Sequence, residues 1–217
     1  AYGMTENMGL NSLMPRDEIR IGTVGKIHEN CQTRIDPETK EIQMKADYNS
    51  WGYYKEDQLT QELFVDGWLK TGDMGEIDSN GFLSIIGRVK DNFKTSKGHY
   101  VSPAPIENNL SIDPHIEQCC VVGINLPQPI ALIVLSLEGK KLEPSTLIKN
   151  LEDLRKNTNP HFKKYEHLSK MIVLKEDWTI ENNCLTPTLK IKRPIIEQKY
   201  LALFETWNNQ IESIIFE

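Results

Sequence analysis

An α+β fold in two lobes is what this sequence predicts, and three observations carry it. Residues 21–87 contain short apolar segments separated by turn signals, the mark of a β-rich or small barrel-like lobe. Further on, two continuous apolar runs of strand length, Ile116 to Ile124 and Pro129 to Leu137, alternate with segments of helical spacing, which makes the second half a sheet covered by helices. Between the halves sits a charged connector, Gly87-Arg88-Val89-Lys90-Asp91. With 217 residues the chain has room for one ordinary core or two small ones, since domains usually hold about 100–200 residues. The lobes are expected over residues 1–87 and 88–217.

In chain order, residues 1–20 are marked by Gly and Pro and show no period, so they are expected to be loop. Two strands, Gly25 to Ile35 and Glu41 to Lys45, are expected to form a hairpin around Asp36-Pro37-Glu38-Thr39, with Pro37 presetting the turn. Tyr54, Leu59, Leu63 and Phe64 suit one short helix within residues 52–64. Strands between Asp73 and Ile86 then close a hairpin over Asp78-Ser79-Asn80-Gly81. In the second lobe a turn at Lys97-Gly98 precedes a helix opened by Pro103 and Pro105 and carrying Glu107. A short strand over Met171 to Leu174 joins the two apolar runs in a three-stranded sheet. Ser145 is placed to cap a helix with Leu147, Ile148, Leu151 and Leu154 on its apolar face. A last helix starts at Pro194 and continues through Tyr200, Phe204, Trp207, Ile211, Ile214 and Ile215.

The composition narrows the function. A formal charge of −6 with scattered basic residues argues against a surface built for nucleic-acid phosphate. No apolar run approaches the ~20 residues of a membrane span and no signal peptide is recognisable, so the expected location is cytoplasmic. The four cysteines, Cys31, Cys119, Cys120 and Cys184, lack metal-ligand spacing and are expected to be reduced and buried. Gly22-Thr23-Val24-Gly25-Lys26 looks like a phosphate loop but is two residues too short and lacks the hydroxyl after the lysine. His99, alone in a loop, is expected to be solvated. The chain begins at Ala1, without Met and inside what looks like a motif, so a longer parent protein is expected.

Three patches fit together. They are Tyr2-Gly3-Met4-Thr5-Glu6, then Thr71-Gly72-Asp73 with Gly87-Arg88-Val89-Lys90-Asp91, and last Leu185-Thr186-Pro187-Thr188-Leu189-Lys190-Ile191-Lys192-Arg193. In this order, over nearly the whole chain, they resemble the adenylate-forming (AMP-binding) superfamily of acyl-CoA synthetases, peptide-synthetase adenylation domains and firefly luciferase. The first and third patches and the Lys94–Pro103 loop are most similar to long-chain fatty acid CoA ligases of bacterial type.

That resemblance implies a two-step reaction, in which a fatty acid attacks ATP to give acyl-AMP and the thiol of coenzyme A then displaces AMP. It also implies roles for individual residues. Tyr2 lies against the adenine, the Thr5 hydroxyl reaches the phosphate, and Glu6 holds Mg, a hard cation suited to carboxylate oxygen. Asp73 and Arg88 grip the ribose hydroxyls; the plain alternative has Asp73 capping a turn and Arg88 pairing on the surface. Lys90 is the hinge on which the C-terminal domain swings between the two steps. Lys94 and Gly98 then face the CoA pantetheine, and one extra residue between them, relative to the luciferase-like pattern, leaves open which residue lines the thiol tunnel. Lys190 enters during the first step to meet charge developing at the α-phosphate; Leu189 precedes it where many members have Gly. Lys192 and Arg193 are expected to be surface charges. In the family the acyl pocket and triphosphate loop precede the segment matched here, so the chain alone is expected to be inactive, its missing N-terminal domain supplying them. Peripheral membrane association of the parent enzyme is a further expectation. The rival expectations are a fatty acyl-AMP ligase, or another acyl or aryl adenylating enzyme, with a carrier-protein acceptor, and a non-catalytic interaction module.

Overall fold

The computed structural model describes residues 1–217 and divides into two compact units, Ala1–Lys90 and Asp91–Glu217. The division falls three residues past the expected Gly87/Arg88 boundary, because the last strand of the first unit keeps Arg88 paired with Asp73.

In the first unit β1 (Ser12–Leu13) and β2 (Lys26–Ile27) pair as a small antiparallel ladder. The remaining elements are β3 (Gln32–Ile35), β4 (Glu41–Lys45), α1 (Asp57–Leu63), β5 (Phe64–Val65), β6 (Trp68–Ile77) and β7 (Leu83–Arg88). The ten-residue β6 organises this unit, since β4, β5 and β7 all pair with it. Ile42, Met44, Leu69 and Leu83 project from β4, β6 and β7 into one core with Cys31. The β6–β7 turn forms where the residue types predict it: Asp78 Oδ1 accepts from the amides of Asn80 and Phe82 at 2.8 and 2.9 Å, and Gly81 takes a left-handed φ of 80°.

Two expectations change here. The strand expected over Gly25 to Ile35 is interrupted, with Lys26–Ile27 pairing β1 and only Gln32–Ile35 pairing β4. Residues 1–20 contain β1 and a Tyr2–Ser12 bridge rather than loop alone. Ladders of two residues are set by their partners and leave no period in the sequence. At Gly25, with φ 92°, a Cβ would lie 2.2 Å from the Leu13 carbonyl carbon, so this close approach needs glycine.

The second unit runs β8 (Phe93–Lys94), β9 (Tyr100–Val101), α2 (Pro103–Leu110), β10 (Ile116–Val122), β11 (Ile130–Leu135), α3 (Pro144–Thr158), β12 (Lys170–Val173), α4 (Arg193–Tyr200), α5 (Phe204–Asn208) and β13 (Ile214–Phe216). Its sheet has four strands in the order β10-β11-β12-β13, one more than expected. Ile214 and Ile215, expected at the end of a helix, form the extra strand parallel to β12. They alternate across the sheet, Ile214 into the core on one face and Ile215 into the core on the other.

This alternation explains the continuous apolar runs, because a sheet covered on both faces needs apolar residues at consecutive positions. On one face Cys120, Leu132, Ile172 and Ile215 pack against Ile196, Phe204 and Trp207 of α4 and α5. On the other, Cys119, Ile133, Met171 and Ile214 pack against Ile106 and Leu110 of α2 and Leu147 and Leu151 of α3. Helix α3 starts with Pro144 behind Glu143, and Ser145 makes no cap bond.

All four cysteines are buried and unpaired. Burial pushes the Cys119 thiol up to about 12 and raises Cys120 and Cys184 as well. Because the thiolate is the reactive form, both its population and its access are suppressed near neutral pH. A thiol-specific reagent at pH 8 is expected to label none of the four over the minutes in which all four react in denaturant. Fast labelling of any of them in the native chain would contradict this core.

Candidate active site

The Thr71-Gly72-Asp73 segment lies in β6 where its pairing with β4 is irregular, between the Glu41–Met74 and Gln43–Lys70 pairs. Three bonds shape it. Gly72, at φ 72°, donates its amide to Glu41 Oε1 at 2.9 Å, the Thr71 hydroxyl donates to the Ile42 carbonyl at 2.8 Å, and the Asp73 amide donates to Thr71 Oγ1 at 3.0 Å. Glu41 is a buried carboxylate, and nothing in the sequence marks it beyond an acid opening a strand.

Asp73 is the junction of two separate patches. Its Oδ2 accepts from the Tyr2 hydroxyl at 2.9 Å and its Oδ1 from Arg88 Nε at 3.0 Å. The Asp73 side chain is 18% exposed and that of Arg88 67%, so the carboxylate sits at the edge of solvent with its cation outside it. Tyr2 reaches it from an edge fixed by its amide bond to the Ser12 carbonyl, 3.0 Å. Burial, with Asp73 adding to it, raises the Tyr2 phenol above its usual value, so it stays a donor to the carboxylate.

Thr5 and Glu6 lie on a 3₁₀ turn, Thr5–Asn7, and the structure makes no bond from either side chain to the Asp73 group. Buried Asn7 holds the turn: its Oδ1 accepts from the Met4 amide at 2.9 Å and its Nδ2 donates to the Leu10 carbonyl at 3.1 Å. Gly3 faces Gly9 so closely that a Cβ would come within 2.3 Å of that carbonyl, which accounts for glycine in this patch. Glu6 Oε1 accepts a short hydrogen bond from the Tyr53 hydroxyl. The chain contains no group of three or more His, Cys, Asp or Glu residues able to hold a metal. Glu6 offers one carboxylate, the kind of donor Mg²⁺ takes alongside substrate phosphates and water. Met4, Tyr53, Lys70, Thr71, Gly72 and Lys90 contribute to a cavity of about 480 Å³ in this unit.

In the second unit Lys94 and Gly98 share one hairpin. Lys94 pairs with Tyr100, and the turn closes through the Thr95 amide to the His99 carbonyl and the Gly98 amide to the Thr95 carbonyl, both 2.9 Å. Gly98 has φ 85°, and a Cβ there would meet only the Lys94 side chain at an ordinary contact distance of 3.9 Å, so backbone conformation explains this glycine. His99, expected to be solvated only, is exposed but stacks on Tyr165 with ring centroids 4.5 Å apart.

Lys190 sits on a second hairpin, closed by the Leu185–Ile191 bridge. The Thr186 amide donates to the Lys190 carbonyl at 2.8 Å and the Lys190 amide to Thr186 Oγ1 at 3.1 Å, while the Lys190 side chain is exposed. Leu189 has φ 61°, the left-handed region. The position thus favours glycine on backbone grounds, and leucine carries strain there.

Arg193 departs most from expectation. It is buried, not a surface charge: its NH2 donates to both oxygens of Glu107 at 2.6 and 2.8 Å, and its NH1 to the Val121 carbonyl at 2.8 Å. Nε lies 3.9 Å from Asp91 Oδ2. Lys192, by contrast, is held only by an exposed bond to Asn183. The one sequence signal for this cluster was an acid in the first turns of a proline-opened helix.

A family profile described as the AMP-binding enzyme C-terminal domain matches residues 90–211. Among curated proteins the chain is 33% identical to "Long-chain-fatty-acid--CoA ligase FadD15" of Mycobacterium bovis, aligned over 96% of this chain and 38% of that protein. It is 34% identical to "Long-chain-fatty-acid--CoA ligase 5" of Mus musculus, over 99% of this chain and 35% of that protein. The chain thus spans little more than a third of these relatives' length. Among solved structures it resembles o-succinylbenzoate CoA synthetase from Bacillus subtilis in complex with its acyl-adenylate intermediate, at TM-score 0.72 and 26% identity, covering 90% of this chain and 40% of that one. An ATP-bound RpMatB-BxBclM chimera matches at TM-score 0.71 and 28% identity, over 92% and 40%.

The strain at Leu189 is testable. A left-handed residue with a Cβ costs about 1–2 kcal/mol, partly offset by the greater unfolded-state freedom of glycine. Since Leu189 is 67% exposed, little apolar burial is lost with it. Leu189→Gly is expected to stabilise the second unit by up to about 1 kcal/mol in urea unfolding; a loss of stability would show that the leucine side chain holds the hairpin.

Proposed function

This chain belongs to the AMP-binding enzymes and carries their C-terminal domain, and from that premise we propose that it is the C-terminal part of a long-chain fatty acid CoA ligase. On this reading ATP and a fatty acid give acyl-AMP, and CoA then takes the acyl group as a thioester. The observation that carries it is the Asp73 carboxylate, shared by Tyr2 and Arg88 at the edge of solvent. Each of its oxygens keeps a second lone pair, so it can accept from two adjacent ribose hydroxyls while Tyr2 and Arg88 hold it.

The other roles are those that the resemblance of the motifs implies. Tyr2 lies against the base and Thr5 donates to phosphate. Glu6 contributes one ligand to Mg²⁺, which when bound neutralises phosphate charge. Lys190, free of any ion pair on its hairpin, brings an ammonium to the α-phosphate as the acyl carboxylate attacks. Lys90 ends the first unit and serves as the pivot between half-reactions. Lys94 and the φ-positive turn at Gly98 then face the pantetheine. No helix is long and apolar enough to cross a membrane; a cytoplasmic enzyme that meets its fatty acid at a membrane surface fits this reading. Acyl-CoA formation, rather than transfer to a carrier protein, is favoured by the long-chain CoA ligases among the relatives.

In the complete enzyme Lys190→Ala is expected to slow fatty-acid-dependent pyrophosphate exchange about a hundred- to thousandfold, the effect of removing one preorganised charge. CoA capture of supplied acyl-AMP is expected to change little. Equal losses in both half-reactions, or none, would overturn the assignment of Lys190. The 217-residue chain alone is expected to show background exchange, because it spans little more than a third of the relatives' length and orienting the reactants takes more of the enzyme on this reading.

A further inference from the structure

Lys190 is carried by a hairpin whose hydrogen bonds are local and whose entry strand is anchored by Leu185, buried in the core of the second unit. The Leu185–Ile191 bridge, the Thr186–Lys190 bonds and the Lys192 amide donating to the Cys184 carbonyl at 2.8 Å set its shape. Leu185 holds the entry strand to the core, and two side chains on or just past the exit strand hold the other side. Ile191, partly buried, packs against the core on one face of the sheet. Arg193, three residues after Lys190 and the first residue of α4, enters the interior.

The guanidinium makes contact with three separate elements. It takes both oxygens of Glu107 on α2, bonds the Val121 carbonyl on β10, and stands 3.9 Å from Asp91, the first residue of the second unit and the neighbour of Lys90. Glu107 Oε1 in turn accepts from the Val121 amide at 2.7 Å, so acid and base are both bonded to the backbone of one residue of β10. One guanidinium nitrogen takes both carboxylate oxygens and the other terminal nitrogen takes the Val121 carbonyl, so the planar group fixes the direction of both partners. The hairpin bearing Lys190 is thereby fastened to α2 and β10, and the segment leaving the pivot stands within ion-pair distance of the same guanidinium, without a hydrogen bond to it.

We propose that Arg193 is a positioning residue for Lys190: through Glu107 and Asp91 it makes the lysine hairpin and the segment after Lys90 move as one body, so that rotation at the pivot delivers the ammonium to a fixed place. This rests on the reading of Lys190 as the adenylation lysine. A lysine at position 193 keeps the charge but cannot hold two carboxylate oxygens and a carbonyl in one plane.

A double-mutant cycle in the complete enzyme, on each half-reaction, tests it. Arg193→Lys is expected to lower kcat for pyrophosphate exchange about a hundredfold, the cost of roughly 1 Å of misplacement, with KM for ATP little changed and thioester formation from acyl-AMP retained. In the Lys190→Ala background Arg193→Lys is expected to cause no further loss, because a misplaced lysine and an absent one cost the same step. Glu107→Gln, which keeps side-chain volume, is expected to follow the same pattern and carries the test if Arg193→Lys does not fold. The same fold loss with and without Lys190, or equal losses in both half-reactions, overturns the inference while leaving Lys190 in place. An unaffected Lys190→Ala single variant overturns Lys190 and the inference together.

Discussion

A carboxylate between a phenol and a guanidinium, Tyr2–Asp73–Arg88, is the constraint on which the first unit's chemistry depends. It joins the start of the chain to a strand pair 71 residues further on, and it forms only if β6 and β7 keep the Asp73–Arg88 register. A one-residue slip of either strand would turn one partner to the opposite face. The irregular pairing of β6 with β4, and the Gly72 amide held by buried Glu41, let the strand depart from regular pleating at this point and rejoin its ladder at Met74. The Asp73 group and the local break in the sheet are one feature.

The second unit solves a different problem. Its sheet is apolar on both faces, so it tolerates few polar groups inside, yet it accepts the Arg193–Glu107 pair. Removing one partner of such a buried pair costs about 3–5 kcal/mol, whereas replacing both with apolar groups is often neutral. Stability alone therefore gives little reason for a charge pair here. A geometric duty gives one, because the pair fixes direction as well as distance at the root of the hairpin that bears Lys190.

Local signals are legible in this sequence and tertiary ones are not. The Asp78–Gly81 turn, the apolar strands of β10 and β11 and the proline-opened helices α2 and α4 each follow from a few adjacent residues. Strand β13 does not: Ile211, Ile214 and Ile215 continue a helical spacing from Trp207, and only the parallel pairing with Met171–Val173 makes the last two a strand. Arg193 reads in sequence as a surface charge like Lys192, because the acid that draws it inward lies 86 residues earlier. Leu189 stands out in sequence as a departure from glycine, but its left-handed backbone is visible only in the folded hairpin. Tyr2, Asp73 and Arg88 are each marked by a motif; their bonding to one another is not.

The central claim, that Asp73 is placed to take both ribose hydroxyls of the nucleotide, is tested most directly by pairing a change in the enzyme with a change in the substrate. In the complete enzyme, kcat/KM for adenylation would be measured with ATP and with 2′,3′-dideoxy-ATP, for the native protein and for Asp73→Ala. Removing the hydroxyls should lower kcat/KM by about tenfold or more in the native enzyme, as expected when hydrogen bonds to a charged group are lost. It should make little difference once Asp73 is gone. An equal loss in both proteins would show that the hydroxyls are held elsewhere and that the Tyr2–Asp73–Arg88 group is structural only.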